Sequence, residues 1–186
     1  MSAAISSRAN ADRALDQERH AIGWVLALGM AGLFTSPAGM AGLAVTVPIG
    51  ILAIALPAAG SGERSRALWM AATALGIAAF WTAGRFAPLP ALPLGTSTVA
   101  VIIVAAVAEE AFFRRLAFSW FSRWGDLAAI ALTSIAFAIV HVPAYGIAAL
   151  PIDLAAGLLF GWQRWATGSW LAAAVTHAAA NLLQAI

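Results

Sequence analysis

Long apolar stretches alternate with short polar breaks along this chain, and the stretches have the length of a bilayer crossing. A membrane-spanning helix needs about 20 mostly apolar residues. Residues 21–62 carry no charge and are interrupted at Ser36-Pro37, which predicts two spans. The stretch Gly60-Ser61-Gly62-Glu63-Arg64-Ser65-Arg66 reads as a polar turn, and a third span is predicted over 67–86. Pro88, Pro90 and Pro93 follow. They disfavour helix and predict a stiff extended link. A fourth helix is predicted over 96–121, closed by Trp124-Gly125-Asp126. A fifth is predicted over 127–141 with Pro143 as its stop, a sixth over 151–163, then a turn over 164–168, and a seventh to the C-terminus. There is no internal repeat and no strand-period alternation. The expected fold is all-α, a polytopic transmembrane helix bundle of about seven spans.

Composition supports this and removes other classes. Of 186 residues, 62% are hydrophobic and 10% charged. Soluble domains carry about 25% charged residues and under 50% apolar ones, so there are too few charges here for a wet surface. A net charge of +2 makes no phosphate-tracking surface, and nucleic acid is not an expected partner. The absence of cysteine excludes disulfides, thiolate metal sites and a cysteine nucleophile. Residues 1–20 are polar and do not resemble a cleavable signal peptide, because the apolar stretch after them is too long. They read as a cytoplasmic N-terminal tail, followed by motif-free transmembrane helices over 21–95 and a motif-bearing core over 96–186.

Arginine sets the expected orientation. With the N-terminus in the cytoplasm, Arg8, Arg13, Arg19, Arg64, Arg66, Arg115, Arg123 and Arg164 fall on the inner side and only Arg85 on the outer. All the tryptophans except Trp81 fall near the same inner interface. The lipid bilayer, in the form of a bacterial inner membrane, is the expected location.

Three spots break the apolar pattern. Glu109, Glu110 and Arg114 lie inside the fourth helix. A charge at the bilayer centre costs about 3 kcal/mol or more, so intramembrane ionisable groups usually face a protein interior or a water-filled cavity. Glu110 and Arg114 are i,i+4 neighbours and can pair, which leaves Glu109 without a local cation. Neighbouring helical residues point about 100° apart, so the two glutamates need not share one role. Phe137 with His141, and His177 with Asn181, each have the spacing of one helix face. At about 1.5 Å per residue, Glu109 lies roughly 20 Å from the outer end of its helix. On the same rise, His141 lies about 21 Å, His177 about 12 Å and Asn181 about 18 Å from the inner ends of theirs. These depths overlap near the midplane. The remaining polar residues have plainer readings: Asp153 as a helix cap, Arg115 as a solvated interfacial residue, His20 as inert, and Thr133, Ser134 and Thr176 as ordinary residues of membrane helices.

A carboxylate and an imidazole beside one water make a general base. A second histidine with an asparagine amide supplies donors for an oxyanion. Amide hydrolysis by an activated water is therefore coherent. Alternatively, a glutamate and two histidines could hold zinc with three protein ligands, here Glu109, His141 and His177, although no His-Glu-x-x-His is present. A non-catalytic membrane protein, an immunity factor or small transporter, could also use the cluster for binding or proton relay.

Glu-Glu-x-x-x-Arg at 109–114, Phe-x-x-x-His at 137–141 and His-x-x-x-Asn at 177–181, in that order, resemble the CPBP intramembrane proteases. That group contains CAAX prenyl endopeptidases and bacteriocin-processing or abortive-infection proteins. The resemblance covers residues 96–186. It implies an endopeptidase acting on a membrane-anchored or membrane-associated protein or peptide. Glu109 would activate water with His141, Glu110 and Arg114 would support that carboxylate, and Phe137 would line the site. His177 and Asn181 would form the oxyanion hole. The family has been described both as metal-dependent and as glutamate-type; the chemistry favours a route with no cofactor, with zinc as the alternative. The chain is shorter than the eukaryotic CAAX enzymes, so a prenylated substrate is not expected; compact bacterial members make a C-terminal sorting tag one substrate possibility.

Overall fold

A computed structural model describes residues 2–36, 40–58, 62, 64–86 and 96–183. Pro37, the turn residues Gly60, Ser61 and Glu63, the proline-rich link over 87–95 and residues 184–186 lie outside the described residues. Within the described residues the chain is all helix, in seven successive helices. They are α1 (Ser2–Thr35), α2 (Met40–Ala55), α3 (Arg66–Phe86), α4, α5 (Asp126–Tyr145), α6 (Leu150–Thr167) and α7 (Trp170–Leu183). Helix α4 is composite: Thr96–Glu110 is α-helical, Ala111–Ala117 widens into a π-helix, and Phe118–Phe121 returns to α-helix.

Several boundaries differ from expectation. Helix α1 already runs through the polar tail rather than starting after it. Pro143 does not stop α5. It lies within the last turn, where a missing N–H removes only one bond, and the helix continues to Tyr145. Gly146, at φ 81°, ends it by donating to the Val142 carbonyl at 2.8 Å. Helix α6 outlasts its expected end by one turn. The expected turn over 164–168 contracts to Gly168-Ser169, with Gly168 left-handed at φ 74° and the Ser169 N–H donating to Thr167 Oγ1 at 3.1 Å.

The distribution of polarity is inverted relative to a soluble protein. Leu28, Ile51, Met70 and Leu75 are exposed, while Glu110, Arg114, Gln163, Thr133, Ser134 and Thr176 are fully buried. Buried polar groups and exposed large apolar ones are the informative departures from soluble packing, and here lipid is the solvent that accounts for both. Helices α3 (over Arg66–Arg85) and α5 are long and apolar enough to cross a membrane, while Ala41–Ala55 and Trp170–Leu183 are apolar but shorter.

Small residues let the helices close. Helices α5 and α6 form an antiparallel hairpin with the most extensive interface in the bundle. A Cβ on Gly157 would lie 2.9 Å from Ser134 Cα, so only glycine permits this approach. Gly50 does the same for α2 against α4, where a Cβ would stand 2.7 Å from Ala108 Cα.

The two ends of the bundle differ. Arg123 stacks over Trp120 and Trp124, Arg64 lies over Trp165, and Trp165 donates to Asp126 Oδ2 at 3.1 Å. We call this the arginine end, and the α5–α6 turn marks the opposite, hairpin end. Arg115, expected as a solvated interfacial residue, is half-buried and is also tied to a neighbouring helix. Its Nη1 donates to the Ala53 carbonyl and, at 3.0 Å, to the Leu56 carbonyl, capping the open C-terminal carbonyls of α2.

Candidate active site

The three motif helices α4, α5 and α7 meet, and α6 closes the group. Two pairs form rather than one cluster. Glu109 Oε2 faces His141 Nε2 at 3.6 Å. Glu110 Oε1 accepts from His177 Nδ1 at 3.0 Å, and Glu110 Oε2 lies 3.4 Å from Arg114 Nε. The expected i,i+4 pairing is therefore present, and the adjacent glutamates do divide between different partners. The resemblance had Glu110 and Arg114 supporting Glu109. The contacts instead put Glu110 on His177, because the step from 109 to 110 turns its side chain toward α7.

Arg114 is 0% exposed. Its Nη2 donates to the Gly157 carbonyl at 3.2 Å, and its guanidinium lies 5.7, 5.2 and 5.6 Å from the ring centroids of Phe113, Phe137 and Phe160. Three aromatic faces replace part of the hydration a buried cation loses.

The π-helix contributes a second fastening. The Phe118 N–H bonds Phe113 O rather than the Arg114 carbonyl an α-helix would give it. Arg164 Nε, from α6, donates to that Arg114 carbonyl at 3.0 Å. Arginines from α4 and α6 thus each reach a backbone carbonyl of the other helix. Such π segments recur at functional sites because they re-aim side chains within an otherwise regular helix.

His141 Nδ1 lies 2.7 Å from the Phe137 carbonyl of its own helix. A bond there makes Nδ1 the donor and leaves Nε2 as the atom presented to Glu109. At 3.6 Å the Nε2–Oε2 separation exceeds a direct hydrogen bond and suits a shared water. The Phe137 ring centroid is 4.4 Å from that of His141 and 5.6 Å from that of His177, so Phe137 is the divider between the two pairs. Asn181 is half-buried one turn beyond His177 on α7.

Phe160 was not anticipated. It stacks on His177 with centroids 5.0 Å apart and planes at 23°, and it also packs edge-on against Phe137 at 5.9 Å, so the two phenylalanines and the imidazole form one three-ring cluster. The available signal was the stripe Asp153, Gly157, Phe160, Arg164 along α6, spaced i, i+4, i+7, i+11 on one face. Gln163 was also missed: its Nε2 donates at 2.8 Å both to the Ala72 carbonyl and to Thr176 Oγ1, joining α3, α6 and α7. Thr176 is thus an acceptor in a three-helix tie. Asp153 does not cap α6. The helix begins at Leu150, which puts Asp153 too far in, and no side-chain cap bond is present.

A zinc ion held by Glu109, His141 and His177 would need all three around one point. Among the described residues no group of three or more His, Cys, Asp or Glu side chains is gathered so as to hold a metal. His177 turns Nδ1 to Glu110, so only its Nε2 remains to face a ligand.

A family model, type II CAAX prenyl endopeptidase Rce1-like, matches residues 91–183. That stretch contains all three motifs. No curated protein and no solved structure matches the chain.

Proposed function

The chain belongs to the Rce1-like family of type II CAAX prenyl endopeptidases, an integral-membrane protease family, and from that premise we propose that it hydrolyses a peptide bond of a membrane-associated protein with a water activated by Glu109 and His141. The observation that carries this reading is the 3.6 Å Glu109–His141 separation, with His141 Nδ1 occupied by the Phe137 carbonyl. A water between Oε2 and Nε2 gives up a proton as it attacks the scissile carbonyl. The same pair then returns a proton to the departing amine. Negative charge collects on the carbonyl oxygen, where His177 and Asn181 supply the donors. Glu110, on His177 Nδ1, fixes the ring so that Nε2 faces outward, and stabilises it when protonated. Arg114 in turn holds Glu110. No step is assigned to a metal.

For the cell we propose a bacterial inner membrane, seven spans and a cytoplasmic N-terminus, the arginine asymmetry supporting the orientation. The test is cleavage of a membrane-anchored peptide panel by purified protein in liposomes. Glu109→Gln should lower the rate about 100- to 10,000-fold, the usual contribution of a general base, while leaving the fold intact. Undiminished cleavage would remove Glu109 from the reaction. Metal content of the active preparation, measured with and without chelator, decides the zinc alternative independently.

A further inference from the structure

The Glu109–His141 pair is partly exposed. Their side chains keep 18% and 15% exposure, respectively. Toward the arginine end the next residues are shut: Glu110, Phe113, Arg114, Phe137 and Phe160, then Phe118 and Arg164, are all buried. Two clefts of about 400 and 540 Å³ do open near the arginine end, between α1 and α4. The buried Leu116 lines the larger, and none of the lining residues of either belongs to the polar cluster.

Toward the hairpin end the described residues are open instead. Tyr145 stacks over the His141 ring, with centroids 5.7 Å apart and planes at 13°, and is 65% exposed. Pro143, Ile147 and Pro151 are exposed beyond it. Helix α5 continues only about 6 Å past His141, whereas α4 continues about 20 Å past Glu109. The α5–α6 turn is therefore recessed relative to α4. On its rim sits Asp153, on the α6 face that carries Gly157 and Phe160. Its carboxylate interacts electrostatically with His141, His177 and Glu109, and its Oδ2 is buried without a hydrogen-bond partner.

We propose that peptide substrates reach the Glu109–His141 pair through this recess, past Tyr145 and Asp153, and that the recess faces the non-cytoplasmic side of the membrane. The sidedness follows from the arginines, which gather at the opposite end of the bundle. The entering segment is an extended peptide, whose main-chain N–H groups match the unpartnered Asp153 Oδ2. The proposal rests on the protease reading for what enters, but its test does not depend on catalysis.

The chain has no cysteine of its own, so single cysteines report accessibility cleanly. Tyr145→Cys, His141→Cys, Phe118→Cys and Trp124→Cys would each be exposed to a membrane-impermeant maleimide, first in intact bacterial spheroplasts and then in inverted vesicles. Tyr145→Cys and His141→Cys should label in spheroplasts, Trp124→Cys only in inverted vesicles, and Phe118→Cys in neither. Labelling of His141→Cys from the side that labels Trp124→Cys would overturn the proposal, as would failure of both His141→Cys and Tyr145→Cys to label in spheroplasts. If His141→Cys does not fold, Tyr145→Cys, one turn outward, decides the sidedness. Undiminished cleavage by Glu109→Gln would sink the protease reading and leave these labelling results standing.

Discussion

Replacing Arg114 with methionine separates two accounts of what this residue contributes. If Arg114 mattered only as a donor to the Gly157 carbonyl, its loss should resemble other interhelical hydrogen bonds in membranes, about 0.6 kcal/mol and at most roughly 1.7. The structure argues for more. Arg114 and Glu110 are both 0% exposed, and Arg114 supplies the nearest cation to Glu110 Oε2. Removing one partner of a buried pair leaves the other charge uncompensated, at about 3–5 kcal/mol. Arg114→Met should therefore destabilise by about 3–5 kcal/mol. Neutralising the stranded charge as well, in Glu110→Gln/Arg114→Met, should recover part of that loss. The double variant should be more stable than the sum of the single effects by about 2–3 kcal/mol, within the range seen for residues in contact. Cleavage should not recover, because His177 then lacks its carboxylate. Equilibrium unfolding in mixed micelles, followed by tryptophan fluorescence, measures all three variants. A single-variant cost below about 1 kcal/mol, or effects that add, would show that the pair is not the charge couple argued here.

Three other substitutions probe separate parts of the same construction. Gly157→Ala places a methyl 2.9 Å from Ser134 Cα; the forced separation of α5 and α6 should cost about 1–3 kcal/mol, and an unchanged unfolding midpoint would contradict the close approach. Arg115→Ala removes charged donors from the Ala53 and Leu56 carbonyls, each such bond being worth about 1.5–3 kcal/mol; amide exchange should accelerate at the C-terminal end of α2 and not in α7, and uniform exchange across the bundle would count against the cap. Asn181→Ala should lower kcat about 100- to 1,000-fold, the usual effect of losing one oxyanion donor, with KM held; a change confined to KM would move Asn181 from the reaction to substrate binding.

Much of the bundle can be read from the chain because the bilayer simplifies the problem. Apolar length gives the helices, and a polar residue inside a span has few reasons to be there. Glu109, Glu110, Arg114, His141 and His177 stand out on that ground alone, and the i,i+4 spacings of Glu110 with Arg114 and of Phe137 with His141 predict contacts that exist. What the pattern hides depends on backbone register and on close approach. Nothing in Ala111–Ala117 announces a π-helix, yet that register redirects the Phe118 N–H and leaves the Arg114 carbonyl to Arg164. Pro143 looks like a stop because local propensity disfavours it, but the helix tolerates one missing donor in its last turn.

Arg115 and Asp153 show the deeper difficulty. Both sit where a charge has a ready excuse, at an interface and near a helix start, and in each case the excuse leaves something out: Arg115 also ties α2 to α4, and Asp153 makes no cap bond. Excess over expectation identifies a site residue only when the expectation is low, as it is at the middle of a membrane. Near the ends of helices a charge is ordinary, and its partners are set by which helix lies alongside. Arg115 reaches the carbonyls of α2 because Gly50 lets α2 press against α4. Asp153 shares a face with Phe160 because seven residues make two turns of α6. The small residues that bring helices together therefore carry as much information about this site as the charges do, and they carry it without any chemistry of their own.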